Sequence, residues 1–371
     1  MLNQLLSKDF PRSTPLSVAL LAILFCLLFA PFLFDGARPL NTAATICIYI
    51  VLVASYDLLI GYTGIVSFAH TMFFGIGAYG VGLSLAAVPD GASASPWLAV
   101  GLGLLAAILL TIFLALVVGA FALRVKAIFY AMITLAVASS FGVLASQLSD
   151  FTGGEDGKTF MVPAVLNAGF TLSQHDVFGR SVDGKLISYY ALFFCCATLF
   201  LLLLRIVNSP FGRVLQAIRE NEFRAEALGY RTVLYRIVAN CIAALAAALA
   251  GALMALWLRY VGPKTFLGFE VMTDILLIVI IGGIGSMYGA VIGAALFVLA
   301  QNYLRGAMGQ ISNAFNDVPH ASLLVQIFHP DRWLLWLGIL FILSVYFFPT
   351  GIVGKWRNKS AQRGMLQRSA N

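Results

Sequence analysis

Charge is what this chain has least of. Asp, Glu, Lys and Arg make up 11% of its 371 residues, where a soluble domain carries about a quarter. Hydrophobic residues make up 61% and the mean hydropathy is +0.93, which excludes a soluble globular protein and leaves a polytopic membrane protein. Cysteine is also scarce. Cys26, Cys47, Cys195, Cys196 and Cys241 all lie in apolar runs, with no CxxC and no neighbouring His, so they read as buried, inert thiols rather than metal ligands. There is no HExxH, no GxSxG and no paired Cys/His set, so protease and hydrolase chemistry lacks its metal or nucleophile. The chain does not read as an enzyme, and no metal or cofactor site is expected in it. Its net charge of +7 lacks the interleaved aromatics of a nucleic-acid groove. It reads instead as a topology signal and as contact with anionic membrane lipids.

One nucleotide-like stretch is also excluded. Gly153 to Thr159 reads GGEDGKT, but a P-loop needs four residues between its first Gly and the Gly-Lys pair, and that first position is Thr152.

What the chain does have is long apolar runs. At about 20 residues per crossing, spans are expected near 15–34, 42–60, 65–88, 97–121, 127–149, 187–207, 233–258 and 333–349. The first run follows Lys8 and Arg12 but is too long for a signal peptide and lacks a cleavage site. The stretch 271–305 is too long for one helix, and GGIGSMYG (Gly282 to Gly289) interrupts it. Both basic ends, Lys8 with Arg12 and Lys355 to Arg368, belong in the cytoplasm by the positive-inside rule. An even number of crossings is then required, so 271–305 crosses twice, with one half short or re-entrant. The expected fold is an all-α bundle of about ten crossings forming a single transmembrane domain over 1–371. It has turns at Gly61–Gly64 and Gly282–Gly285 on the cytoplasmic side, an outward loop at 150–186 and a basic cytoplasmic tail at 350–371.

Between the sixth and seventh spans lies a polar island, Asn208 to Thr232, NSPFGRVLQAIRENEFRAEALGYRT. Arg205, Arg213, Arg219, Arg224, Arg231 and Arg236 sit in or beside it, each costing roughly 2.5–3.5 kcal/mol at a bilayer centre, so it faces water in the cytoplasm. Ser209 can cap a helix, Pro210 suits the first helical position, and Gly229 is a natural stop. Between them Phe211, Val214, Leu215, Ile218, Ala225 and Leu228 recur at three- and four-residue steps, and Glu220 is spaced to pair with Arg224. The segment reads as a short docking helix, or alternatively as an ordinary interfacial loop. Small residues at Ala243, Ala247, Gly251 and Ala255, and at Gly285, Gly289 and Gly293, mark faces for tight helix packing.

Ionisable and polar residues at membrane depth nominate a transport path. Asp57, Tyr62, Ser67, His70 and Tyr79 cluster in or before the glycine-rich stretch GYTGIVSFAHTMFFGIGAYG, and Asp274 heads the eighth span beside Glu270. His70 either lines the route or makes a structural hydrogen bond at the cytoplasmic turn. Asp57 either lines the route or is wet at the membrane boundary. Asp274 either meets substrate or answers the helix dipole.

Five stretches in order carry a resemblance: GYTGIVSFAHTMFFGIGAYG, TGGEDG (Thr152 to Gly157), SPFGRVLQAIRENEFRAEALGY (Ser209 to Tyr230), GGIGSMYGAVIGA (Gly282 to Ala294) and FFPTGIVG (Phe347 to Gly354). Together, over nearly the whole chain, they resemble permease subunits of bacterial branched-chain amino-acid ABC importers. The resemblance implies a type II-like permease bundle in the inner membrane, working with a second homologous permease, two cytoplasmic ATP-binding cassette ATPases that use ATP and Mg, and an extracytoplasmic binding protein. It implies that Phe211, Gly212, Arg213, Ala217, Ile218, Arg219, Glu220, Asn221, Glu222, Ala225, Ala227 and Gly229 couple the bundle to an ATPase groove. It also implies alternating access driven by ATPase closure. This chain departs from the family's more usual pattern at Asp57, where Asn is commoner, and at Ala69-His70-Thr71. Branched-chain or related amino acids are the expected substrate, with urea, short amides and aromatic acids as alternatives. An ion-coupled secondary transporter and a scaffolding subunit are the competing classes.

Overall fold

The computed structural model describes residues 14–34, 36–88, 95–122, 127–167, 169–170, 183–316, 327–348 and 351–354. The basic ends at Lys8, Arg12 and Lys355 to Arg368 lie outside the described residues, as do Asp176 and Arg180 of the long loop. The helices are α1 (Thr14–Leu33), α2 (Ala37–Ile60), α3 (His70–Ala86), α4 (Pro96–Ala122), α5 (Ala127–Gln147), α6 (Gly184–Asn208), α7 (Pro210–Glu220), α8 (Glu222–Ala227), α9 (Thr232–Leu258), α10 (Phe269–Gly282), α11 (Met287–Asn316) and α12 (Trp333–Phe347). Two short strands, β1 (Lys158–Thr159) and β2 (Tyr260–Val261), pair antiparallel with Lys158 opposite Val261.

Nine helical stretches among the described residues are long and apolar enough to cross a bilayer. To these α3 adds a tenth apolar helix of 17 residues. The stretch 271–305 is two helices, parted where Gly283 and Gly285 take positive φ. The expected span 65–88 is shorter than its apolar run. Residues 64–67 have no regular secondary structure and α3 begins only at His70, because the sequence around Gly61 and Gly64 does not propagate a helix.

Helix packing sorts the described residues into two compact units, 26–276 and 14–25 with 277–354. In the first, α9 is central and packs along α3, α2 and α4. Helix α2 is apolar on every side and accordingly enclosed: 89% of its membrane-length window is buried, against 22% for α5. Leu98, Leu102, Leu105, Leu109 and Phe113 form an exposed row along α4, the pattern of a face turned to lipid or another subunit. The small-residue seam of α9 is buried at Ala243, Ala247, Gly251 and Ala255. A methyl group added at Gly251 would lie 1.8 Å from the Phe74 carbonyl oxygen, and one at Gly77 would lie 1.7 Å from that of Ala248, so the α3 and α9 backbones touch directly. Asn240 adds a polar tie in the same helix. Its Nδ2 donates to the Ala115 carbonyl (3.0 Å), and its Oδ1 accepts from the Tyr130 hydroxyl (3.3 Å).

Beyond the C-terminal end of α9, β2 meets the loop after α5. The Arg259 guanidinium donates to Asn167 Oδ1 (3.2 Å) and the Leu166 carbonyl (3.0 Å), and the Tyr260 hydroxyl donates to the Asp156 carbonyl (2.9 Å). Lys158 donates to the carbonyls of Asp150 and Phe151, so its ammonium is used within its own turn.

The second unit holds a cluster of Leu16, Ile292 and Val353, with Leu20, Ile23 and Ile352 packed on it. Gly289 approaches Gly282, and Gly351 approaches Gly283, so closely that an added methyl at either would meet backbone atoms. Arg305 pairs with Asp331 at 3.5 Å, and Phe328 stacks on Trp336.

The cysteines correct one expectation. Cys47 and Cys196 are buried, Cys241 is half-buried, and Cys26 and Cys195 are exposed because α1 and α6 carry them on faces turned away from their neighbours.

Replacing Gly251 with Val is expected to lower the thermal midpoint of the purified protein in detergent, by an overpacking cost of roughly 1–3 kcal/mol or more. Gly101→Val, where an added methyl meets nothing within 4 Å, is the control and should leave the midpoint in place. Equal midpoints for the two variants would contradict the close α3–α9 crossing.

Candidate coupling surface and buried polar cluster

The polar island forms a bent pair of helices rather than one. Pro210 opens α7 at the first helical position, but Ser209 caps by position only, since its hydroxyl donates back to the Ile206 carbonyl (2.6 Å). The helix stops at Asn221, whose backbone swings to an extended φ of −158°. Asn221 then starts α8, its Oδ1 accepting from the Arg224 N–H at 2.9 Å. Helix α8 ends in a Schellman turn: Gly229 has φ +91°, its N–H bonds the Glu226 carbonyl (2.8 Å), and the Tyr230 N–H bonds that of Ala225 (3.1 Å).

The break re-aims the apolar residues. Leu215, Ile218 and Ala225 are buried and Phe211 and Val214 half-buried, whereas Leu228 is 73% exposed and so leaves the inner face on which the periodicity puts it. Phe223 is 82% exposed. Gly212 is buried, and a methyl there would lie 2.0 Å from the Val207 carbonyl oxygen, so α7 folds back tightly on the end of α6. Phe211 stacks on Tyr235 with ring centres 5.7 Å apart. Arg213, Ala217, Glu220, Asn221, Glu222, Ala227 and Gly229 are exposed.

The ion pair of the segment differs from the one expected from helical spacing. Glu222 pairs bidentately with Arg236 at the start of α9, and Thr232 donates to Glu226 (2.9 Å). A Glu220–Arg224 pair presupposes a continuous helix, and Asn221 interrupts it. Arg219 is also exposed, and its Nη1 donates to the Gly61 carbonyl. This bond places the Gly61–Gly64 turn and the α7–α8 elbow at the same end of the unit, opposite the β1–β2 pair, since α9 runs from one to the other.

Next to that turn lies a buried polar cluster. His70, the first residue of α3, is 0% exposed, and its Nε2 is 2.8 Å from Ser55 Oγ; the Ser55 hydroxyl also lies 2.7 Å from the Leu52 carbonyl. Tyr56 meets the imidazole edge-on at 5.3 Å. The His70 Nδ1 and the Tyr56 hydroxyl are both buried without a hydrogen-bond partner among the described residues. Asp57, in the last turn of α2, is 1% exposed and enclosed on all sides. Tyr62 and Ser67 are buried in the turn and the irregular stretch after it, which is held from α5 by a bond from the Phe68 N–H to Thr134 Oγ1 (3.1 Å).

Of the residues nominated for a path, Asp57, Tyr62, Ser67 and His70 thus gather at the α2–α3 junction. Tyr79 stands apart, two and a half turns along α3. It lines a cavity of about 260 Å³ with Ile76, Leu83, Ala107, Phe141 and Leu144, and its hydroxyl makes no hydrogen bond. Asp274 is half-buried in the second turn of α10, and Glu270 is in the first. Sequence reading missed Ser55, Tyr56, Thr134 and Asn240. An isolated Asn within the apolar run of α9 was a usable signal. Ser55 and Thr134 carried none, because hydroxyls are ordinary in membrane helices.

The model of the family described as branched-chain amino acid transport system, permease component, matches residues 38–345. The chain is 26% identical over 299 residues to the high-affinity branched-chain amino acid transport system permease protein LivM of Salmonella typhimurium, covering 77% of this chain and 68% of that protein. It is 25% identical over 334 residues to the probable branched-chain amino acid transport permease protein LivM of Methanocaldococcus jannaschii, covering 82% and 90%. The LivH permease of the Salmonella typhimurium system is 24% identical over 328 residues, covering 87% and 94%. No solved structure matches.

Changing Ser55 to Ala leaves the imidazole Nε2 of a fully buried His70 without its partner. The expected outcome is a loss of about 1–3 kcal/mol of stability, read as a lower thermal midpoint with assembly otherwise intact. An unchanged midpoint would mean that His70 is solvated.

Proposed function

Because this chain belongs to the permease-component family of branched-chain amino acid transport systems, we propose that it forms half of the translocation path of an ATP-driven importer for branched-chain amino acids. A second related permease supplies the other half, two ATPases dock from the cytoplasm, and an extracytoplasmic binding protein delivers the substrate. ATP and Mg are held by the ATPases. The complex sits in the bacterial inner membrane with both termini of this chain in the cytoplasm. The substrate follows from the relatives, whose names all specify branched-chain amino acids.

One observation carries the coupling role. The α7–α8 elbow buries Leu215, Ile218 and Ala225 against its own chain yet leaves Phe223 and Leu228 exposed among arginines and glutamates. Two large apolar side chains projecting from a charged segment are poorly placed in water, and they are the kind of anchor that fills a partner's groove. In this reading Phe223 and Leu228 seat in an ATPase, Glu220, Arg213 and Arg224 form a polar rim, and closure of the two ATPases displaces the elbow. The bundle then opens outward to the loaded binding protein, and hydrolysis resets it.

Purification of the tagged chain from its native membrane in mild detergent, with identification of what accompanies it, is the first test. Two ATPases and a second permease are expected, with ATP hydrolysis in the preparation and leucine uptake after reconstitution. A chain that purifies alone would favour a secondary transporter. In the double variant Phe223→Asp, Leu228→Asp, whose positions are exposed and whose fold should persist, ATPase association should weaken by about tenfold or more, as for hot-spot anchors. Full retention of the ATPases would remove the elbow from the interface. Competition of leucine uptake by valine and isoleucine, but not by urea, is the expected specificity.

A further inference from the structure

Arg219 lies exposed in the proposed docking segment, yet its guanidinium is engaged within its own chain. Helix α7 packs on α6 and α9, the helices that precede and follow the elbow. Arg219 reaches a third place, 158 residues away in sequence: its Nη1 donates to the Gly61 carbonyl. Its stem crosses Gly64, where an added methyl would lie 3.3 Å from Arg219 Cγ. Gly64 has φ +74°, a conformation that opposes any side chain, and a Cβ there would press on the arginine stem.

The turn is connected on both sides to the buried cluster. Gly61 closes α2 through its N–H to the Asp57 carbonyl (2.7 Å). After Gly64, Ile65 packs with Val118 and Tyr130, Phe68 is held by Thr134, and His70 by Ser55. Residues 64–67 have no helical ladder of their own, so their path is set by these neighbours and by Arg219. Apolar contacts such as those of Leu215 and Ile218 are not directional and permit sliding. The arginine's hydrogen bond is directional and moves its acceptor with it.

Resting on the proposed coupling role, we infer that Arg219 is a positioning residue that carries displacement of the elbow into the α2–α3 junction. There it shifts the irregular stretch 64–67 and, through it, the start of α3. Arg219 thus acts on this chain's own path through its bond to Gly61.

The test uses the complete complex in proteoliposomes with leucine-loaded binding protein, measuring leucine taken up per ATP hydrolysed. Arg219→Met keeps the stem and removes the donor. It should lower that ratio by about tenfold, the scale set by one charge-assisted hydrogen bond, and Arg219→Lys, which keeps a cationic donor, should recover part of it. A ratio within about twofold of wild type for Arg219→Met, against that expected scale, overturns the inference. If Arg219→Met fails to assemble, Gly64→Ala takes its place with the same expected fall, and an unchanged ratio there is equally fatal. A wild-type chain that brings no ATPase with it defeats the importer reading itself. Intact wild-type coupling with an unaffected Arg219→Met complex defeats only the role of Arg219.

Discussion

Within a bilayer no water is available to the peptide backbone, and every N–H and C=O must find its partner inside the protein. The α2–α3 junction is where this constraint bears hardest. The chain turns at Gly61–Gly64, runs irregularly through 64–67 and starts α3 at His70, beside Ser55 and hence about one and a half turns inside the end of α2. Such a path survives because protein surrounds it. Thr134 takes the Phe68 N–H, Arg219 supplies a donor to Gly61, and Ile65 is covered by Val118 and Tyr130. The irregular stretch, the buried His70 and the arginine bonded to Gly61 are consequences of one requirement.

The same requirement accounts for how α3 and α9 meet. Apolar contrast gives helices in lipid no reason to associate, so close van der Waals contact has to do it. Gly77 and Gly251 bring the two backbones into direct contact, and the alanines around Gly251 keep that approach open. This fixes the height of α3 against α9, and with it the position of the junction next to the α7–α8 elbow.

The elbow is the part where local sequence rules were informative but incomplete. Pro210 and Gly229 bound the helical region as their backbone preferences dictate. Periodicity predicted one continuous helix over 211–229, and Asn221 divided it, because an Asn side chain that caps the next turn competes with continuation of the helix. That division exposed Leu228, moved the ion pair from Glu220–Arg224 to Glu222–Arg236 and left Phe223 projecting. None of these three results follows from spacing, since spacing assumes a straight axis.

The sequence by itself determined the membrane class, the ten apolar helices, the break within 271–305 and the family, because hydropathy, helix-breaking glycines and ordered motifs are local properties of the chain. Tertiary structure alone decided which polar residues are dry and whom they meet. Asp57 has a boundary position in sequence yet is enclosed, His70 is paired with a serine fifteen residues earlier, and Arg219 looks like a docking residue until its guanidinium is seen on Gly61. The physical reason is the same in each case. Burial and hydrogen-bond partnership depend on how separate helices pack, and the contacts that set them come from residues far apart in the chain.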